Sequence, residues 1–231
     1  MRRFLAALLI ATSFTPGLLA ETPKKATELL NGKDLAGWEL VVTPAADLAA
    51  VCHYNADGSL AVAGQPVSYL ATTASYENYR LHVEWRWPAN AVKNSNGGIL
   101  VHIASGPKDR QWPLSLQIQT KIKAAGDFLP MAGATFAEKL TSAPNSATPI
   151  LAHSAPDSEK PLGEWNTADI VCRGDTVEVT INGVLQNKIS KSAPAAGKIG
   201  FQLEGVPYEV RNVVIAPLQA IDRSYQTTGG F

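Results

Sequence analysis

Apolar and polar residues alternate along most of this chain with a period of two. From residue 79 to 87 one side carries Tyr79, Leu81, Val83, Trp85 and Trp87, while the other carries Arg80, His82, Glu84 and Arg86. That pattern is the mark of a strand buried on one face. After Gly97-Gly98, Ile99, Val101 and Ile103 fall on one side and Leu100 and His102 on the other. Leu116 and Ile118 alternate with Gln117 and Gln119; Val177, Val179 and Ile181 alternate with Thr176, Glu178 and Thr180; Ile199, Phe201 and Leu203 alternate with Gln202 and Glu204. A last strand is expected from Val210 to Ile215, ahead of Pro217. Asn182-Gly183 is a two-residue hairpin signal, and further turn signals stand at Asp57-Gly58, Gly64-Gln65-Pro66, Gly174-Asp175 and Gly205-Val206-Pro207. No long stretch repeats at 3.6 residues. Strands at this spacing predict an all-β chain, an antiparallel β-sandwich or jelly roll with little helix. The exception is residues 123–163, rich in Ala, Ser and Pro, which read as a long loop, either functional or mobile.

In a two-sheet sandwich the apolar sides of the strands face each other, so the polar sides face outward. Here those sides hold few lysines. They hold His82, Glu84 and Arg86 on one strand, His102 on a second, Gln117 and Gln119 on a third, and Gln202 and Glu204 on a fourth. Such a set can supply a base, an acid and hydrogen-bond clamps. Ordinary roles compete: His82-x-Glu84-x-Arg86 also fits a cross-strand ion-pair ladder, and His102 also fits a structural histidine. Trp112, Trp165 and Tyr208 lie near turns, where an aromatic ring either stacks on a sugar or packs the rim. Arg211 shares a side with Val213 and Ile215, which predicts a buried arginine paired with a carboxylate.

Composition narrows the class. The 231 residues balance 20 basic against 20 acidic side chains with no basic run, which argues against nucleic-acid binding. Two cysteines exclude a disulfide scaffold and a Cys-rich zinc site. Cys52 and Cys172 could each be a buried thiol or together a single bridge. Met1-Arg2-Arg3, an apolar run from Phe4 to Phe14, and the change to polar sequence after Ala20 have the layout of a secretory signal peptide over residues 1–20. The run is too short to span a bilayer, and no later stretch reads as a membrane span. One exported domain, residues 21–231, is therefore expected in the periplasm or outside the cell. The chain holds no G-x-S-x-G, no H-E-x-x-H and no P-loop.

Six stretches in order resemble one bacterial family. They are Leu30-Asn31-Gly32-Lys33-Asp34-Leu35-Ala36-Gly37-Trp38-Glu39; Glu84-Trp85-Arg86-Trp87-Pro88; Asn94-Ser95-Asn96-Gly97-Gly98-Ile99 with His102; Gly163-Glu164-Trp165-Asn166; Asn182-Gly183-Val184; and Gly200-Phe201-Gln202-Leu203-Glu204-Gly205 with Val210-Arg211-Asn212-Val213. The chain is thereby similar to the 3-keto-disaccharide hydrolases, also described as 3-keto-glucoside lyases and hydratases, over residues from about 27 to 218. The resemblance implies a concanavalin-like jelly roll acting on a small sugar or glycoside. It also implies a departure, Gln117 where relatives would carry Glu.

A 3-keto group acidifies the C2 hydrogen of a glucoside, so a base can remove it, the C1 substituent leaves, and water adds to the enone. On this resemblance His102 is the expected base, Glu204 an acid or second base, and Arg86 or a divalent metal ion the enolate stabiliser. Asn96, Gln117, Gln119, Gln202 and Trp112 are the expected substrate contacts. No spacing demands the metal, whose ligands would be His102, Glu204 and a glutamine oxygen. Two other readings stay open: a non-catalytic carbohydrate-binding module, and a glycosidase that uses Glu84 and Glu204 as its carboxylate pair. A structural envelope protein is a weaker third.

Overall fold

A computed structural model describes residues 19–92, 95–109 and 111–218. All but the last two residues of the expected export leader lie outside these described residues. In chain order the elements are β1 (Thr27–Glu28), β2 (Trp38–Val41), the single-turn α1 (Leu48–Val51), β3 (Cys52–Tyr54), β4 (Leu60–Val62), β5 (Ser68–Thr72), β6 (Tyr79–Arg86), β7 (Gly98–Asp109), β8 (Trp112–Gln119), β9 (Phe128–Met131), β10 (Asn166–Arg173), β11 (Thr176–Ile181), β12 (Val184–Ile189), β13 (Lys198–Leu203) and β14 (Tyr208–Pro217). One sheet runs β12-β11-β10-β6-β14-β4-β3, with β1 also paired to β14; the other runs β2-β5-β13-β7-β8-β9. All these strand pairs are antiparallel. The expected all-β, concanavalin-like jelly roll is what the chain forms. Among the described residues no helix is long and apolar enough to cross a membrane.

The alternation explains the core. Leu81, Val83 and Trp85 of β6, Val177, Val179 and Ile181 of β11, and Val210 and Ile215 of β14 are buried in one cluster. The same cluster takes Ile99 and Val101 of β7, Leu116 and Ile118 of β8, and Ile199, Phe201 and Leu203 of β13 from the opposite sheet. Burying side chains of this size contributes roughly 1.5–3 kcal/mol each, so the register of both sheets is strongly fixed. Asn182 and Gly183 both take positive φ, 48° and 82°, as the hairpin between β11 and β12 requires.

The outer face of the six-stranded sheet is not a plain solvent face. Tyr69, Ala71, Leu100, Ile103 and Trp112 form a second buried apolar cluster there, and Gln117, Gln119 and Gln202 are also buried. Part of residues 123–163 covers this face. That segment is not loop throughout, since it contains β9, which extends the sheet beside β8. Its remaining length is tied down by backbone bonds such as Leu151 N–H to Phe128 O and Ala137 N–H to Ser190 O.

Cys52 and Cys172 are free, buried thiols. Four inter-strand steps separate β3 from β10 in the sheet, about 19 Å at ~4.8 Å per step. A disulfide cannot span that distance.

Candidate functional site

The site grows from one glycine and three glutamines. Gly98 of β7 is in register with Gln119 of β8, and Leu100 with Gln117. Gly98 leaves a gap on the outer face, and the Gln117 side chain folds across it: a Cβ at Gly98 would lie 2.6–2.8 Å from three Gln117 atoms. From there Gln117 Nε2 donates to Gln119 Oε1 at 2.9 Å and to Gln202 Oε1 of β13 at 2.8 Å. Gln202 Nε2 donates onward to Glu204 Oε2 at 2.6 Å, and Asn96 Nδ2 donates to the same oxygen at 2.7 Å. A backbone bridge between Asn96 and Glu204 fixes that end. Beneath it, the buried Tyr208 hydroxyl donates to the Gln202 carbonyl at 2.8 Å. A continuous chain of amides thus ends on one carboxylate.

This chain floors a cavity of about 400 Å³. Asn96, Trp112, Gln117, Gln119, Gln202 and Glu204 all line it, so six of the eight side chains expected from the sequence converge. Pro149 and Ile150, from the segment after β9, form part of its wall. Lys121 and Asp127 line it too and were not foreseen. Lys121 continues the Gln117, Gln119 alternation by two residues, a signal that was legible. Asp127 was not legible, because its partner His153 lies 26 residues on; Asp127 Oδ1 accepts from the His153 backbone N–H at 2.7 Å and lies 2.6 Å from the ring Nδ1.

His102 and Arg86 do not join the group. The ladder between β7 and β8 breaks after Val101, and His102 takes a left-handed φ of 55°. A bulge inserts one residue and inverts the side-chain parity beyond it. His102 therefore turns inward, edge-on to Tyr79 at 6.2 Å between ring centres, while Ile103 moves to the outer face. Its Nδ1 lies 3.2 Å from the Pro194 carbonyl, and its Nε2 has no partner among the described residues. Burial pushes its pKa down to about 4. Arg86 lies on the other sheet, paired with Glu209 and 4.5 Å from the centre of the Trp165 ring. Arg211 lies 4.0 Å from the same ring. Trp165 thus stacks with two guanidinium groups. A second bulge, at Asn212 with φ 49°, turns Arg211 outward instead of into the core. There it meets the expected carboxylate, Glu84, at 2.7 Å.

Glu84 belongs to this outward face of the eight-stranded sheet and Glu204 to the outward face of the other. Face-packed sheets lie about 10 Å apart before side chains are added, so Glu84 and Glu204 cannot flank one glycosidic bond. The expected metal ligands are likewise not assembled. His102 faces the interior, Gln117 turns its nitrogen into the chain, and no group of three His, Cys, Asp or Glu side chains suited to a metal ion occurs among the described residues. The residues present do not fit that ion.

A family model described as the 3-keto-alpha-glucoside-1,2-lyase-like domain matches residues 25–216. The chain belongs to that family. Family membership makes the protein carbohydrate-active. No curated protein matches it. Among solved structures, it is similar to a candidate glycosyl hydrolase from Parabacteroides distasonis at 20% identity and TM-score 0.60, over 84% of this chain and 94% of that one. It is also similar to the carbohydrate binding module CBM66 from Bacillus subtilis, at 13% identity and TM-score 0.54, over 77% and 93%. A LamA variant from Zobellia galactanivorans, in complex with laminaritriose and laminaritetraose, matches at 11% identity and TM-score 0.55, over 86% and 100%. At these identities the likeness is one of fold.

Proposed function

We propose that this family member is an exported enzyme that cleaves 3-keto-glycosides by elimination and rehydration, with Glu204 handling the protons. The observation that carries the reading is Glu204 itself, a carboxylate held by Asn96 and Gln202 inside a cavity otherwise lined largely by amides and apolar groups. Amides clamp sugar hydroxyls without competing for the proton. Trp112 offers an aromatic surface.

The chemistry balances with one carboxylate because C1 and C2 are neighbours. Glu204 takes the C2 proton, and the electron pair passes into the C3 carbonyl as an enolate. The Lys121 ammonium stabilises the enolate oxygen in place of Arg86. The enolate then collapses, C1=C2 forms, the C1–O bond breaks, and the departing oxygen takes the proton from Glu204. Water adds at C1, giving a proton to Glu204, which returns it to C2. The net change is hydrolysis, and each proton that Glu204 takes up it gives back.

Turnover of a 3-keto-glucoside is the test. Glu204→Gln is expected to lower kcat by roughly 10²–10⁴-fold, the usual weight of a positioned acid–base group, with KM little changed. Full turnover in that variant would overturn the reading. The rival is a carbohydrate-binding module without chemistry, favoured by the amide-rich floor. It predicts calorimetric binding of an unoxidised disaccharide together with no turnover of its 3-keto form.

A further inference from the structure

The orientation of the Gln117 amide is tied to those of its two neighbours. Both hydrogens of its Nε2 are used, on Gln119 Oε1 and Gln202 Oε1, while its own Oε1 is buried with no partner among the described residues. Reversing Gln117 alone would set its oxygen against two carbonyl oxygens and strand two N–H donors where one oxygen is stranded now, so Gln117, Gln119 and Gln202 can only turn together. Leaving a buried polar group unpaired costs about 1–3 kcal/mol, so a lone reversal is strongly disfavoured. The Glu204 carboxylate only accepts, so Gln202 turns its nitrogen to Glu204 and its oxygen to Gln117, and Gln117 completes the arrangement by donating to that oxygen. Glu204 Oε2 can only accept there, and it accepts from Asn96 as well.

We propose that Gln117 is a positioning residue that acts through Gln202 to hold Glu204 in its ionised, proton-accepting form. The role assigned to Glu204 in turnover rests on the function proposed above; the coupling between the three side chains does not. A carboxylate at position 117 would reverse the whole chain, since it can only accept. Gln202 would turn its N–H toward position 117 and its carbonyl oxygen toward Glu204, an arrangement relieved when Glu204 binds a proton and donates it. A glutamine at 117 therefore does not remove a base from this site. It decides which residue of the chain is the base. The other charged groups lining the cavity among the described residues are Lys121 and Asp127, and they are common to every variant compared.

The test follows the side-chain carboxyl signal of Glu204 by carbon NMR from acid to alkaline pH, the signal being assigned by its loss in Glu204→Gln. Gln117→Glu is expected to raise the midpoint of Glu204 by about one unit or more, as two carboxylates linked through one amide share a proton. Gln117→Met, which adds no buried charge, frees Gln202 to rotate and is expected to raise it by less. The acid limb of the pH–rate profile moves with the midpoint in both. An unchanged Glu204 midpoint in whichever of the two variants folds overturns the proposal. Shifted midpoints without 3-keto-glucoside turnover in the parent protein uphold the coupling and overturn the function instead.

Discussion

His102 shows how much one backbone angle decides. Its side chain is fully buried, and desolvation favours the neutral ring, whose pKa falls to about 4 from an ordinary 6.5. Between those values the unfolded chain binds a proton that the folded chain refuses, so stability falls as pH drops through that window. The loss is about 3 kcal/mol when complete. His102→Asn tolerates the positive φ and removes the titration. Denaturant melts should therefore show a flatter pH dependence between about 6.5 and 4 for the variant. Turnover of a 3-keto-glucoside near neutral pH should be retained, because the ring lies outside the cavity. Loss of chemistry in a fully folded His102→Asn protein would restore the base expected from its place in the sequence.

At the scale of the element, β7 does two jobs. Its bulge after Val101 turns His102 inward and sends Ile103 to the outer face, and its opening glycine makes room for Gln117. The Gly97-Gly98 pair was visible as the opening of a strand, yet what Gly98 supplies is space and not a positive φ. Gly98→Ala would place a methyl group inside the Gln117 side chain. Overpacking of this kind costs typically 1–3 kcal/mol, and here it also breaks the amide chain. Thermal melts should show the destabilisation, and calorimetry with a bound sugar should show at least roughly tenfold weaker binding, the equivalent of one lost hydrogen bond of about 1.4 kcal/mol. Unchanged affinity in Gly98→Ala would mean that Gln117 does not shape the floor. The segment between β8 and β10 works at the same scale. It contributes β9 and the Pro149–Ile150 wall, where the reading of residues 123–163 expected loop throughout.

For the whole molecule, the separation of the two outer faces matters most. One carries the pairs Arg86–Glu209, Arg211–Glu84 and His82–Asp169, all partly open to solvent; ion pairs at a surface are worth about 0–1 kcal/mol each. The other carries the covered cavity. The same sheet order keeps Cys52 and Cys172 apart, and burial pushes both thiols up to about 12. A thiol reagent is therefore expected to find two cysteines only after denaturation, and a reductant to leave Tm unchanged. A fall in Tm under reducing conditions would contradict the strand order.

The alternation of side chains along each strand was enough to determine the sandwich, its core and the outward row of Gln117, Gln119, Gln202 and Glu204, because a period of two assigns faces wherever a strand is regular. It could not locate the bulges at His102 and Asn212, since a single residue in the left-handed region inverts every side chain beyond it and leaves no fixed mark in the sequence. Nor could it pair Asp127 with His153 or say which sheet a strand joins. Those depend on contacts between residues far apart in the chain, and they decided that Glu204, and neither His102 nor Arg86, stands in the cavity.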